Sequence, residues 1–126
     1  MEAVAIVTVL ALLEYFAFSL QVGKARGEYK VDAPATTGHP VFERTLRVQQ
    51  NTLEQLVLFL PGLWLFATYV RADIAAILGL VFIAGRAIYA RAYIADPGSR
   101  STGFALGLAA EGILLIGALI GAVLSY

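Results

Sequence analysis

Four long apolar stretches, separated by short polar segments, dominate the sequence. Each stretch is close to the roughly 20 residues that an α-helix needs to cross a lipid bilayer. The pattern therefore predicts an all-α protein with a single domain over residues 1–126, folded as an integral membrane four-helix bundle. The expected spans are residues 3–22, 51–70, 74–94 and 103–125.

The segments between the spans are polar and contain helix-breaking residues. Residues 23–40 carry several charges, two prolines and glycines, which predicts the longest loop of the chain. Residues 41–55 predict a polar helical start that continues into the second span, and residues 96–100 predict a turn. The N-cap residues expected for the third and fourth helices are Asp73 and either Ser101 or Thr102.

Composition supports a membrane location and excludes several functions. Hydrophobic residues make up 60% of the chain and charged residues only 14%, against about 25% in a soluble domain. The net charge of zero lacks the basic excess of a nucleic-acid-binding protein. The absence of cysteine excludes disulfides and a cysteine nucleophile, and His39 alone cannot build a conventional zinc site, so we expect no metal.

The positive charges predict the orientation in the membrane. In a four-helix topology the first and third connections share one membrane face, and every lysine and arginine except Arg71 lies on or towards that face. The positive-inside rule makes it the cytoplasmic face. Its cations are Lys24, Arg26, Lys30, Arg44, Arg47, Arg86, Arg91 and Arg100.

Two of the predicted spans carry polar groups on one helical face at the same depth. On the second helix these are Arg47, Asn51 and Glu54, and on the third they are Arg86, Tyr89 and Tyr93. A charge inside a span costs about 2.5 to 3.5 kcal/mol on insertion scales, so it needs a partner or a wet pocket. Either Glu54 pairs internally with Arg86 or Arg47 and the tyrosines form an interfacial belt, or the groups bind an anionic ligand.

Other residues within the spans favour a structural role. Glu14 and Glu111 are single acids in the first and fourth helices, and we expect each to meet an arginine or to be protonated. The fourth helix has glycine pairs at i, i+4, at residues 103 and 107 and at residues 117 and 121. This spacing predicts close helix packing, within the chain rather than in a dimer.

Residues 42–54 resemble the F-E-R-x-x-R-x-x-x-N-x-x-E signature of the membrane-associated proteins in eicosanoid and glutathione metabolism, the MAPEG family. The resemblance covers essentially the whole chain. It is closest to the branch of leukotriene C4 synthase and microsomal glutathione transferase, and the compact form looks bacterial. Further matches are Ser19-Leu20-Gln21-Val22, Thr36-Thr37-Gly38, Arg86-Ala87-Ile88-Tyr89 with Tyr93, and Arg100.

The resemblance implies a homotrimer that binds glutathione, as a co-substrate, between adjacent subunits near the cytoplasmic face. It implies that Arg100 is the catalytic residue, because the matching arginine of family transferases stabilises the glutathione thiolate. Gln55 departs from the tyrosine that often follows the motif glutamate. The residues implied to hold glutathione are Arg47, Asn51, Glu54, Tyr89, Tyr93, Gln49, Arg26 and Arg86.

The resulting hypothesis is a membrane-bound glutathione transferase of the bacterial inner membrane, with its site facing the cytoplasm. Its thiolate would attack hydrophobic electrophiles that arrive through the bilayer, or would reduce lipid hydroperoxides. The alternative is a non-catalytic protein that binds and presents lipids, resembling five-lipoxygenase-activating protein. The set of charged groups that a peptide ligand requires favours the enzyme.

Overall fold

The computed structural model describes residues 1–126 as four antiparallel α-helices without a strand. The helices are α1 (Glu2–Tyr29), α2 (Pro40–Tyr69), α3 (Ala72–Ala95) and α4 (Ser101–Leu124), with a 3₁₀ turn at Pro97–Ser99. All four are long and apolar enough to cross a membrane. The predicted all-α membrane fold is confirmed. We call the end of the bundle that carries residues 30–39 and 96–100 the basic end.

The helices are arranged around a central pair. α2 and α3 pack against each other and against both outer helices, α1 and α4. Phe59 and Phe82 stack at the centre, with ring centroids 3.9 Å apart, among buried aliphatic side chains of all four helices. Large apolar side chains also cover the outer surface. Such a surface would be unfavourable in water, and it suits contact with lipid.

Glycines allow α4 to lie very close to its neighbours. A Cβ atom on Gly103 would lie 2.3 Å from the backbone nitrogen of Tyr89, and one on Gly117 would lie 2.5 Å from the ring of Phe66. Gly107 differs, because its nearest neighbour would be 3.9 Å away. The predicted packing of glycines within the chain is therefore confirmed at Gly103, Gly117 and Gly121.

The first connection is shorter than the sequence predicts. α1 continues through Gly23 and Gly27 to Tyr29, so the loop comprises residues 30–39 rather than 23–40. A Cβ atom on either glycine would have no neighbour within 4 Å. A helical glycine costs about 1 kcal/mol relative to alanine, which is too little to end a long helix. The helix ends at Lys30, whose left-handed backbone has φ 56°.

Both predicted N-caps are wrong. α3 begins earlier than expected, because Arg71 has the extended backbone of an N-cap and Asp73 lies in the first turn, paired with Arg71 at 2.7 Å. At α4 the N-cap position falls on Arg100, whose backbone is already helical, and no side chain caps the helix. Ser101 and Thr102 therefore lie inside the helix, because the 3₁₀ turn leads directly into it.

His39 has a structural role at the start of α2. Its ring nitrogen accepts a hydrogen bond from the backbone of Val41 at 3.1 Å, and Pro40 occupies the first helical position. The ring also stacks on Tyr29, with centroids 4.0 Å apart. His39 thereby fixes the end of the first connection against α1.

Candidate functional site

A cleft of about 440 Å³ lies near the basic end, where α2, α3 and α4 meet. This volume lies within the range of about 300 to 1,000 Å³ that is usual for small-molecule sites. The cleft brings together five of the predicted site residues, two from α2, two from α3 and the arginine that precedes α4. Its lining consists of Arg47, Asn51, Tyr89, Tyr93, Arg100 and Phe104.

Two arginines give the cleft its positive charge. Arg47 forms an ion pair with Glu54 at 3.4 Å, and about half of each side chain is exposed. An exposed pair of this kind contributes only about 0 to 1 kcal/mol, so a ligand that offers each partner a better contact can separate them. Arg100 is exposed and donates one hydrogen bond, at 2.7 Å to the carbonyl of Pro97. Its other N–H groups have no partner within the chain.

Asn51 lines this cleft, and its side-chain oxygen is buried just behind the wall and unused. The residue is 8% exposed, and its side-chain oxygen has no hydrogen-bond partner in the chain. Buried polar groups in proteins are nearly always hydrogen-bonded, so an unpaired oxygen in a cleft wall indicates a site for a ligand donor. The cleft therefore combines cationic groups with one acceptor that is suited to an N–H group.

Aromatic rings form the apolar part of the wall. Tyr89 stacks on Tyr93 with centroids 5.5 Å apart, and it lies 5.9 Å from Phe104 on α4. Tyr89 is buried, whereas Tyr93 and Phe104 are partly exposed. The rings join α3 to α4 and give a ligand an apolar surface beside the two cations.

Arg86 lies outside the cleft, contrary to its predicted contact with a ligand. It is 1% exposed, its guanidinium lies 4.3 Å from the ring centroid of Tyr89, and it donates to the hydroxyl of Thr52 at 2.8 Å. A side chain buried this deeply has no surface to offer a small molecule. Of the two internal pairs that the sequence allows for Glu54, the structure has the one with Arg47 and lacks the one with Arg86.

Arg86 forms no ion pair with an acid of the chain. The acids of the outer helices are Glu14 on α1, whose Oε1 is buried without a hydrogen-bond partner, and Glu111 on α4, which is 2% exposed. The amide nitrogen of Gln55 donates to both oxygens of Glu111, at 2.6 and 2.8 Å, when the amide is oriented to place its donor there. Neither acid therefore forms the ion pair with an arginine that the sequence allowed, and Gln55 faces Glu111.

Two further predicted residues lie elsewhere in the chain. Gln49 donates to the hydroxyl of Ser19 at 3.0 Å and joins α2 to α1. Arg26 donates to the carbonyl of Ala35 at 2.8 Å and lies over the ring of Phe42, which holds the first connection against the bundle. Neither Gln49 nor Arg26 lines the cleft of its own chain.

Sequence reasoning missed two residues of this region. Phe104 follows Arg100 by four positions on α4, so helical spacing alone places it on the same face. Thr52 is harder to predict, because its hydroxyl contacts Arg86, which lies 34 residues later in the sequence. The only feature of the sequence that pointed to such a contact was Arg86 itself, because an arginine inside a span needs a hydrogen-bond acceptor.

The fold and the cleft define an integral membrane protein of four helices with a cationic pocket near one end. The model described as "MAPEG family" matches residues 4–120. The chain therefore belongs to the MAPEG family, as the sequence predicts.

The similar proteins include one whose name states that it is a glutathione transferase. The chain is 44% identical to microsomal glutathione S-transferase 2 of Homo sapiens, over 94% of this chain and 79% of that protein. It is 45% identical to leukotriene C4 synthase of Cavia porcellus, over 68% of this chain and 57% of that enzyme. An uncharacterised protein of Synechocystis is 53% identical over 92% of this chain and 85% of its own length, consistent with the predicted bacterial form.

Proposed function

We propose that this protein is a membrane-bound glutathione transferase. The observation that carries the proposal is the convergence of two arginines, an unpaired asparagine oxygen and two stacked tyrosines in one cleft. The name and similarity of the microsomal glutathione S-transferase relative support the same activity. The proposed localisation is the bacterial inner membrane, with the basic end facing the cytoplasm, because the cations are concentrated there.

The functional groups of glutathione match those of the cleft. The tripeptide has two carboxylates, one ammonium group, one thiol and two peptide N–H groups. Arginine binds carboxylates through paired hydrogen bonds, a role that we assign to Arg47. Glu54 would leave Arg47 and accept the ammonium group, and the oxygen of Asn51 would accept a peptide N–H. Tyr89 and Tyr93 would pack against the peptide.

Arg100 is the proposed catalytic residue. A free thiol has a pKa of about 8.5 and is mostly protonated at neutral pH. Each unit by which a site lowers this pKa requires about 1.4 kcal/mol of preferential binding of the thiolate. The free N–H donors of Arg100 are available for this purpose at the cleft wall. The thiolate would then attack an electrophilic carbon and form a carbon–sulfur bond, while the bond from that carbon to a leaving group or an epoxide oxygen breaks and the released anion takes up a proton from water.

A second groove supports the approach of the electrophile from the lipid. It has a volume of about 390 Å³, runs along the outer side of α4 and shares Arg100 and Phe104 with the cleft. Ala105 and Leu108 form its apolar wall. A hydrophobic molecule in this groove would lie beside the thiolate, and such positioning supplies much of the acceleration in reactions of two bound partners. A lipid hydroperoxide in the same place would be reduced to its alcohol when the thiolate breaks the O–O bond, and a second glutathione would complete the reaction by forming glutathione disulfide and water.

A homotrimer is part of the proposal. Arg26 and Gln49 do not reach the cleft of their own chain, so glutathione bound between subunits would meet these residues from the adjacent copy. Arg86 would act instead by supporting the ring of Tyr89 from inside the bundle.

The proposal is tested by titrating the detergent-solubilised protein with glutathione while the ultraviolet absorbance of the thiolate is recorded. We expect a saturable rise in wild type. Arg100→Ala should abolish the rise and the conjugation of a model electrophile, while glutathione affinity measured by calorimetry stays within a few fold. Arg71→Ala, which removes an arginine from the opposite end, is the control and should behave as wild type.

Two outcomes would contradict the proposal. An unchanged thiolate signal in Arg100→Ala would remove the catalytic role of this residue. A wild-type protein that binds no glutathione would instead favour the alternative, a lipid-presenting protein.

A further inference from the structure

A groove of about 470 Å³ lies between α1 and α3, on a different side of the bundle from the glutathione cleft. It shares no lining residue with that cleft or with the groove along α4. Five of its seven lining residues are hydrophobic, and the two polar ones are Gln21 and Arg91. The proposed transferase activity assigns it no role.

The polarity of this groove changes along its length. Phe18 and Ala87 line the part nearer the middle of the membrane, whereas Gln21 and Arg91 lie about one turn closer to the basic end. The small side chains of Ala87 and Ala90 leave an open channel along α3. An elongated apolar group with a polar head at one end matches this distribution.

Arg91 is the only arginine of the chain without a partner. Five of the other arginines donate hydrogen bonds to chain oxygens, and Arg47 pairs with Glu54. Arg91 makes neither kind of contact, although it lies only four residues before the end of α3. No acid lines the groove. Its free guanidinium therefore fits an anionic group at the depth where phospholipid headgroups lie.

We propose that this groove binds an anionic phospholipid. The headgroup phosphate would accept hydrogen bonds from Arg91 and Gln21, and an acyl chain would run past Ala90 and Ala87 towards Phe18. Basic pockets between membrane helices recognise acidic headgroups in this way. A zwitterionic lipid fits less well, because its own ammonium group competes for the phosphate.

The test is native mass spectrometry of protein released from nanodiscs that contain equal amounts of phosphatidylglycerol and phosphatidylcholine. Wild type should retain phosphatidylglycerol preferentially. One basic residue near a membrane surface contributes about a fivefold preference for acidic lipid, so Arg91→Ala should lower the retained phosphatidylglycerol by at least that factor. Arg91→Lys should keep most of the preference, because it keeps the charge.

Two further variants separate a built site from general surface charge. Lys24→Ala removes one exposed cation from the same end of the bundle but outside the groove, and should change retention by no more than the roughly fivefold contribution of one surface charge, and by clearly less than Arg91→Ala. Ala87→Leu fills the channel and should reduce retention of both lipids while leaving Arg91 in place. Each variant is first checked for wild-type helicity and thermal unfolding.

Two results would overturn the inference. Equal loss of phosphatidylglycerol in Lys24→Ala and Arg91→Ala would show that the lipid responds only to net charge. A change of oligomeric state in Ala87→Leu, with lipid retention unchanged, would show that the groove is a contact between copies of the chain. Both results are independent of glutathione turnover, so the proposed transferase activity would stand or fall separately.

Discussion

Replacing Gly103 by alanine tests how closely α3 and α4 must approach to form the cleft. The added Cβ would lie 2.3 Å from the nitrogen of Tyr89 and 2.7 Å from the carbonyl oxygen of Gly85. Ordinary contact begins at 3.4 Å, and backbone atoms cannot rotate away as a side chain can. α4 therefore has to move by about 1 Å relative to α3, and Arg100, three residues earlier, moves with it.

The expected magnitude follows from two opposing effects. Overpacking of a tight contact costs about 1 to 3 kcal/mol, whereas alanine stabilises a helix by up to about 1 kcal/mol relative to glycine. We expect Gly103→Ala to lower the free energy of unfolding by about 1 to 2 kcal/mol. A misplacement of about 1 Å between reacting groups lowers rates by about 100-fold, so conjugation of a model electrophile should fall by about 10 to 100-fold.

Gly107→Ala is the matched control, one turn along the same helix. Its Cβ would meet no atom closer than 3.9 Å, so the helix-forming advantage of alanine should remain and stability should rise slightly. The assays are thermal unfolding in detergent and initial rates of conjugation for both variants. Equal effects of the two substitutions would refute the reasoning, because they differ only in the space around the new methyl group.

Three further predictions concern the polar contacts of α1 and α2. Thr52→Val should lower the free energy of unfolding by about 1.5 to 3 kcal/mol, because the buried hydroxyl accepts a hydrogen bond from a charged group. Glu54→Gln should weaken glutathione binding in calorimetry, while stability changes by less than about 1 kcal/mol, because its ion pair is exposed. Arg26→Gln should speed proteolytic cleavage within residues 30–39, because the loop loses its contact with the arginine.

Each of these predictions has a control and a contradicting outcome. Thr45→Val removes a hydroxyl that bonds only to a carbonyl one turn away, and an equal loss of stability there would reject the special role of Thr52. Glu43→Gln changes an acid outside the cleft, and equally weakened glutathione binding would indicate a general charge effect. For Arg26, cleavage no faster than in Lys24→Ala would show that the loop is held by other contacts.

The hydrophobic pattern predicted the four helices because a bilayer requires long apolar segments, and this requirement is visible in every span. The ends of the helices were harder to predict. The start of α4 depends on the backbone of Arg100, which the preceding 3₁₀ turn holds in a helical conformation. Gly23 and Gly27 did not end α1, because a few unfavourable residues cannot outweigh the hydrogen bonds of a long helix.

The cleft was predictable where helical spacing decides the geometry. Arg47 and Asn51 lie one turn apart on one helix, as do Tyr89 and Tyr93 on another, so each pair had to share a face. The depth of Arg86 was not predictable from spacing, because it depends on how three other helices pack around α3. Spacing identifies a face of a helix, and only packing decides whether that face meets a pocket or the interior.

The buried position of Arg86 has a consequence for biosynthesis. This arginine lies about 14 Å from the end of α3, and a lone arginine at such depth makes insertion from the translocon unfavourable by about 2.5 to 3.5 kcal/mol. The ribosome delivers Thr52, the hydrogen-bond acceptor of Arg86, before Arg86 emerges. The order of synthesis thus supplies the acceptor before the third helix enters the bilayer.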